Sequence, residues 1–225
     1  MKNRDMMKNN FYLLMVLFSL LSSCATQLTP AANIYTLSSQ ELNASSLNTA
    51  APTTPSDAEK NTQLAILKLS AINASPLYNT SDIIYTDTPY SRNRYAYSRW
   101  SDAPPALLLS LFQSTLASSH HFRAVIPPMS AASADLQLES TLFDFSHHLN
   151  ADKSSTGVIS IRFYLVDNVN RQVIQTKRFT ATAPASANNA EGAVSALNAA
   201  ATKISHDLVQ WLEKSRYQKK KHSTI

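Results

Sequence analysis

The sequence has one cysteine, Cys24, and only two glycines among 225 residues. Without a second thiol no intramolecular disulfide can form, so the fold must stand on its core even in an oxidising compartment. Two glycines leave no Gly-rich loop to cradle a phosphate, and the G-x-S-x-G elbow of many hydrolases is missing too. Neither H-E-x-x-H nor a paired-cysteine spacing for zinc occurs. Long apolar runs are also lacking. The run over residues 11–21 is eleven residues, against the roughly 20 needed to cross a hydrocarbon core. Net charge is +5, but it sits at the two ends. Lys2, Arg4 and Lys8 face only Asp5 at one, and Lys214, Arg216, Lys219, Lys220 and Lys221 face only Glu213 at the other. A near-neutral body offers no basic face for nucleic acid. The tail reads as a solvated end rather than a contact with anionic headgroups.

What is present at the start is informative. A basic head, the short apolar run and the small residues Ser22 and Ser23 read as a secretory signal. Leu21-Ser22-Ser23-Cys24 also resembles the lipobox of bacterial lipoproteins. That resemblance implies cleavage between Ser23 and Cys24, diacylglycerol on the Cys24 thiol and an N-acyl chain on the new terminus. Two or three chains anchor a protein stably, because each buried methylene contributes about 0.8 kcal/mol. No other cofactor is expected. Residues 1–23 are thus the signal and 24–61 a lipidated terminus and linker, rich in Ser, Thr, Ala, Asn and Pro. Such a composition buries too little apolar surface to offset ordering entropy. A tether of about 35 residues has an r.m.s. span of roughly 30 Å.

Residues 62–214 hold the folded domain, and 215–225 a basic tail. Short β-prone runs occur at 63–69, 82–86 and 94–98, the first broken by Pro76-Leu77-Tyr78 and the other two suggesting a hairpin. Pro104-Pro105 suits a helix start, capped by Ser101 or Asp102. Leu107, Leu108, Leu111, Phe112 and Leu116 follow at helical spacing, and the helix should end near Ser118 and Ser119. A short strand at 122–126 stops at Pro127-Pro128. Leu136, Leu138 and Leu142 then alternate onto one sheet face, whereas Phe143 and Phe145 have the other parity. Either a bulge shifts the register there or both faces are covered. Residues 150–157 read as a hairpin loop containing Gly157, and 158–166 and 173–181 as antiparallel strands joined by a turn at 167–170. Leu197, Ala201, Ile204, Leu208 and Trp211 mark the core stripe of a last helix over 190–214. The fold class is α+β: an antiparallel or mixed sheet with two helices on one face, preceded by a tether.

Side chains with chemical potential are few. His120-His121 and His147-His148 invite metal, but neighbours on a strand point to opposite faces, so no metal site is assigned. Asp135, Glu139 and Asp144 read as surface or turn carboxylates, and no catalytic residue is assigned. Trp100 with Tyr85, Tyr95 and Tyr97 forms an aromatic stretch. It reads as sheet packing or, in Tyr95, Tyr97 and Trp100, as a partner surface, where aromatics are enriched.

The order of these features resembles the ABC-type transport auxiliary lipoprotein family, the lipoprotein component of MCE-type lipid transporters. The matching stretches are Tyr35-Thr36-Leu37, Leu64-Ala65-Ile66, Pro76-Leu77-Tyr78, Ile83-Ile84-Tyr85 and Trp100 with Ala103-Pro104-Pro105. Further along come Ala134-Asp135-Leu136-Gln137-Leu138, Arg171-Gln172-Val173-Ile174 with Arg178-Phe179, and Ala193-Val194-Ser195-Ala196-Leu197-Asn198-Ala199-Ala200. The resemblance implies a non-catalytic periplasmic module that docks with an MCE-domain protein and its permease and ATPase. Ala25 after the cysteine implies sorting to the outer membrane rather than retention at the inner one. Homo-oligomerisation is left open. The competing reading is a structural or assembly lipoprotein of the outer membrane, pilotin-like or lipopolysaccharide-assembly-like. Metabolic labelling with palmitate should mark the chain, and Cys24→Ser should remove the label; a labelled Cys24→Ser chain would refute the anchor.

Overall fold

The computed structural model describes residues 31–38 and 64–215. The signal, Ser23, Cys24, most of the linker and the tail after Ser215 lie outside the described residues. In chain order the elements are β1 (Asn33–Tyr35), β2 (Ile66–Leu69), β3 (Asn73–Ala74), a 3-10 turn (Pro76–Tyr78), β4 (Asp82–Thr86) and β5 (Asn93–Trp100). Then follow α1 (Pro104–Ser118), β6 (Ala124–Ile126), β7 (Leu136–Leu149), β8 (Ser155–Asp167), β9 (Gln172–Pro184) and α2 (Ala190–Glu213).

All nine strands among the described residues join one mixed sheet whose spine is β7. Along one side β8 pairs antiparallel over nearly its whole length, and β9 pairs antiparallel with β8. Along the other side β2, β3 and β4 follow one another, each parallel to β7, at Leu136–Leu138, Thr141–Leu142 and His147–His148. The proline that breaks the first strand explains the stepping: Pro76 opens the 3-10 turn, capped by the Ser75 hydroxyl. Outside these strands β6 is parallel to β2, β5 antiparallel to β4, and β1 parallel to β5.

The parity conflict in β7 is resolved by a bulge. Leu142 faces Ile161 and Asp144 faces Ser160, so Phe143 is an extra residue. Leu136, Leu138 and Leu142 before it, and Phe145 and His147 after it, are all buried, while Phe143 is turned outward. On β8 Ile159, Ile161, Phe163 and Leu165 line the same inner face. Leu108, Leu111, Phe112 and Leu116 of α1 and Leu197, Ala201, Ile204 and Leu208 of α2 cover it. Edge-on ring contacts run from Phe112 to Phe163 (5.4 Å), on to Phe179 (5.8 Å) and to Trp211 (5.9 Å).

Three expectations are corrected. Neither Ser101 nor Asp102 caps α1; the N-cap is Ala103, with no side-chain cap, and the two prolines occupy positions whose missing N–H groups cost little. Gly157 is not in the hairpin loop, which spans residues 150–154, but inside β8. The linker is not wholly a tether either, because β1 lies within it. Tyr35 and Leu37 pack against the core, and Asn198 of α2 clasps the backbone on both sides, accepting from Ser38 N (2.9 Å) and donating to Thr36 O (3.3 Å).

Gly157 explains how closely α2 approaches the sheet. A Cβ there would lie 2.7 Å from the Ala196 carbonyl carbon and Leu197 nitrogen and 2.8 Å from the Ala196 Cβ. Such contacts force helix and sheet apart. Gly157→Ala should therefore destabilise the domain by about 1–3 kcal/mol, an overpacking cost read from urea midpoints. An unchanged midpoint would show that α2 is not tightly seated.

Candidate functional site

Tyr95, Tyr97 and Trp100 share β5, yet the structure separates them. Between β4 and β5 the register slips: Asp82 faces Arg99 but Ile84 faces Arg94. The extra length of β5 leaves Tyr97 58 % exposed, with Arg99 beside it on the outer side, and turns Ser98 and Trp100 inward. Trp100 is only 2 % exposed and sits edge-on against Phe145 at 5.5 Å. It is a core residue, which removes it from any partner surface. Ile34 of β1 stands opposite Arg99 and is 72 % exposed, so it joins Tyr97 at this edge. Asp82 binds Arg99 (2.6 Å) and Arg94 (3.1 Å), one carboxylate holding two guanidinium groups.

Tyr95 points to a buried histidine. Its ring lies 4.8 Å from that of Tyr85, and its hydroxyl is 2.8 Å from His147 Nδ1. Burial, then the neighbouring Tyr85, pushes the Tyr95 pKa up to about 12. Burial, then the neighbouring His148, holds the His147 imidazole below its ordinary pKa. Both groups are thus neutral near pH 7. The phenol donates to Nδ1, which assigns the ring proton to Nε2. That nitrogen is buried with no hydrogen-bond partner among the described residues.

His148 faces the other way, as strand alternation demands. Its Nε2 is 3.2 Å from Asp144 Oδ2 and 3.1 Å from Ser146 Oγ. Ser146 and Tyr78 both donate to Asp144 Oδ1, at 2.5 Å and 3.0 Å. Burial acts to raise the Asp144 pKa, but the hydrogen bonds from His148 and Ser146 prevail and hold it low. Burial, then the Asp144 charge, raises the Tyr78 pKa. The set contains Ser, His and Asp, but both oxygens meet the same imidazole nitrogen. A relay needs the carboxylate on Nδ1 and the hydroxyl on Nε2. This network instead fastens the 3-10 turn to the bulged part of β7.

Beside it lies an open cleft of about 360 Å³ between the β4–β5 loop and the β7–β8 loop. Arg92, Asp87 and His148 are its ionisable lining groups. Arg92 Nη1 donates to Ser91 O (2.6 Å) and Thr86 Oγ1 (3.4 Å), and among the described residues it has no ion-pair partner. Next to it on the loop, Tyr90 is 98 % exposed. Elsewhere on the outer sheet face, Phe143 is flanked by Arg162 and Arg178, whose guanidinium carbons lie 5.6 and 4.6 Å from its ring centre. The remaining histidine pair is parted: His120 takes a left-handed φ of 56° after α1, and His121 Nε2 lies 3.7 Å from Glu213. Sequence reasoning missed Ile34, Tyr90 and Arg92. A turn tyrosine after Thr88-Pro89 was the one signal for that loop.

The fold and this surface define an α+β module with a polar, partly aromatic edge and, among the described residues, no helix able to cross a membrane. The family model of the ABC-type transport auxiliary lipoprotein component matches residues 46–209. The chain belongs to that family of auxiliary lipoprotein components. Among solved structures it is similar to protein XCC0632 from Xanthomonas campestris, at 18 % identity and a TM-score of 0.63, covering 67 % of this chain and 85 % of that one. It is also similar to the crystal structure of an uncharacterized protein, at 14 % identity and a TM-score of 0.58, covering 81 % and 99 %. These likenesses are of fold. No curated protein sequence matches the chain.

The buried imidazole makes an acid-sensitive fold. Unfolded histidine takes up a proton below about pH 6.5, whereas folded His147 resists protonation to lower pH. Its contribution is complete above that value and is lost as pH falls towards the folded pKa; that of Asp144 is lost at still lower pH. Melting temperature should fall between pH 6.5 and 5, and His147→Asn should flatten that slope while lowering stability at pH 7.5. An unchanged slope in the variant would exclude His147 as its source.

Proposed function

We propose that this chain is the membrane-anchored auxiliary lipoprotein of an MCE-type lipid transporter. Acylated on Cys24 and held at the periplasmic face of the outer membrane, it acts as a non-catalytic docking component for phospholipid trafficking. The observation that carries this reading is the family match, which spans the domain from before β2 into α2. The single convergent nitrogen of His148 is consistent with a structural rather than a catalytic network.

The structure changes how such a module would work. Asn33 comes nine residues after Cys24, so the anchor can lie no more than about 32 Å from β1 even with the chain fully extended. In this reading the end remote from β1 is the one that meets the partner. At that end the β8–β9 hairpin exposes Val169, Val173 and Ile174.

Affinity capture of the full-length acylated protein from its own envelope should retain an MCE-domain protein with its permease and ATPase. The double change Val173→Asp and Ile174→Asp should cut that retention about tenfold or more, as charge in an apolar contact does, with little change in melting temperature. Capture of none of these partners would overturn the reading, and retention unaffected by the double change would exclude the hairpin as the contact.

A further inference from the structure

We propose that the corner of the domain formed by the β4–β5 loop and the β1–β5 edge is a membrane-contact surface, seating Tyr90, Tyr97 and Ile34 in the headgroup region of an anionic bilayer. This rests on the reading that Cys24 carries the anchor.

Strand direction is the first argument. β4 runs towards the Leu149 end of β7, since Tyr85 and Thr86 pair in parallel with His147 and His148. β5 returns from that end, and β1 is parallel to β5. β1 therefore begins on its side towards the Leu149 end, where the 87–92 loop and the cleft lie. Asn33 lies nine residues after Cys24, so a membrane holding Cys24 is reached over the shortest length of chain from this end. The hairpin carrying Val169 is at the Leu136 end, because Leu136 pairs with Asp167. The thirteen steps of β7 between the two ends amount to about 43 Å.

Surface chemistry is the second argument. Tyr90, at 98 % exposed, and Tyr97 and Ile34 have no covering element among the described residues. Tyrosine with arginine is the pair that settles at a bilayer interface, ring among the headgroups and guanidinium on phosphate. Arg92 supplies a guanidinium with no carboxylate partner among the described residues, and Arg94 and Arg99 share one. The carboxylates nearby are accounted for: Asp82 is buried between its arginines, Asp144 is tied to His148, and Asp87 accepts from Ser91 and Asn93. Three arginines against three carboxylates leave no surplus of charge, so the guanidinium of Arg92, outside any ion pair among the described residues, is the group left to meet phosphate, too little to bind without the anchor. Among the described residues each of these carboxylates is already engaged, so a second copy docked corner to corner would offer Arg92 no free partner, which favours lipid phosphate as the occupant.

The test places a reporter at each end of the intact protein. Tyr90→Trp, Tyr97→Trp and Val169→Trp chains are mixed with phosphatidylethanolamine–phosphatidylglycerol vesicles holding a headgroup nitroxide lipid, and the wild-type emission of Trp100 and Trp211 is subtracted. Emission at positions 90 and 97 should be quenched about twofold or more while position 169 stays unquenched, and Arg92→Glu should weaken the effect. Equal quenching at 169, or none at 90 and 97, overturns the surface. A change at 90 and 97 that follows protein concentration but not the nitroxide overturns it in favour of self-association. The mass of the Cys24 peptide reports the anchor independently. Acyl chains present without the quenching pattern sink the surface alone. Quenching without acyl chains keeps the surface and sinks the anchor.

Discussion

Phe143 is the residue for which the pairing of β7 with β8 has no place, and the rest of the molecule is arranged around that surplus. Because side chains alternate with period two, one extra residue inverts every position beyond it. Without it Phe145 and His147 would face outward, and Asp144, Ser146 and His148 would sit beneath α2. With it, an apolar inner face continues along β7 past Phe145, and the polar residues gather on the outer side. Trp100 then packs on Phe145, and Tyr95 reaches His147. The outer network needs the same shift, since Tyr78 reaches Asp144 only where the bulge has turned it outward. A break in the parallel neighbours between β3 and β4 leaves room for the 3-10 turn at that level.

The second constraint is the closeness of α2 to β8. Gly157 admits the backbone of Ala196 and Leu197, and the buried alanines of the helix, Ala193, Ala196, Ala200 and Ala201, keep the gap small. A helix seated so low can also clasp the chain that follows β1 through Asn198. Capture of β1 thus depends on the helix position as well as on pairing with β5. It draws part of a low-complexity segment into the sheet.

Much of this was legible beforehand. The stripes Leu108, Leu111, Phe112 and Leu116, and Leu197, Ala201, Ile204 and Leu208, are buried as their spacing requires, because helical periodicity reports a face directly. Ile159, Ile161, Phe163 and Leu165 alternate strictly and are all inside. The family likeness, carried by order rather than by any one motif, agrees with the match over residues 46–209. The edge was less legible. Tyr95, Tyr97 and Trp100 look alike in a strand pattern, and only the slipped register decides that Trp100 goes to the core and Tyr97 to solvent.

The amino-acid order by itself determined the α+β class, the two core helices, the sites of chain breaks at proline and the absence of disulfide or glycine-loop chemistry. These are local properties, written in spacing and composition. Tertiary structure alone decided which way Phe143 and Phe145 face, which aromatic of β5 is exposed, that Gly157 serves a helix rather than a turn, and that Asn33–Tyr35 is a strand. Each of those depends on a partner distant in the chain. Pairing register and close approach are set between segments, and no window along a single segment contains them.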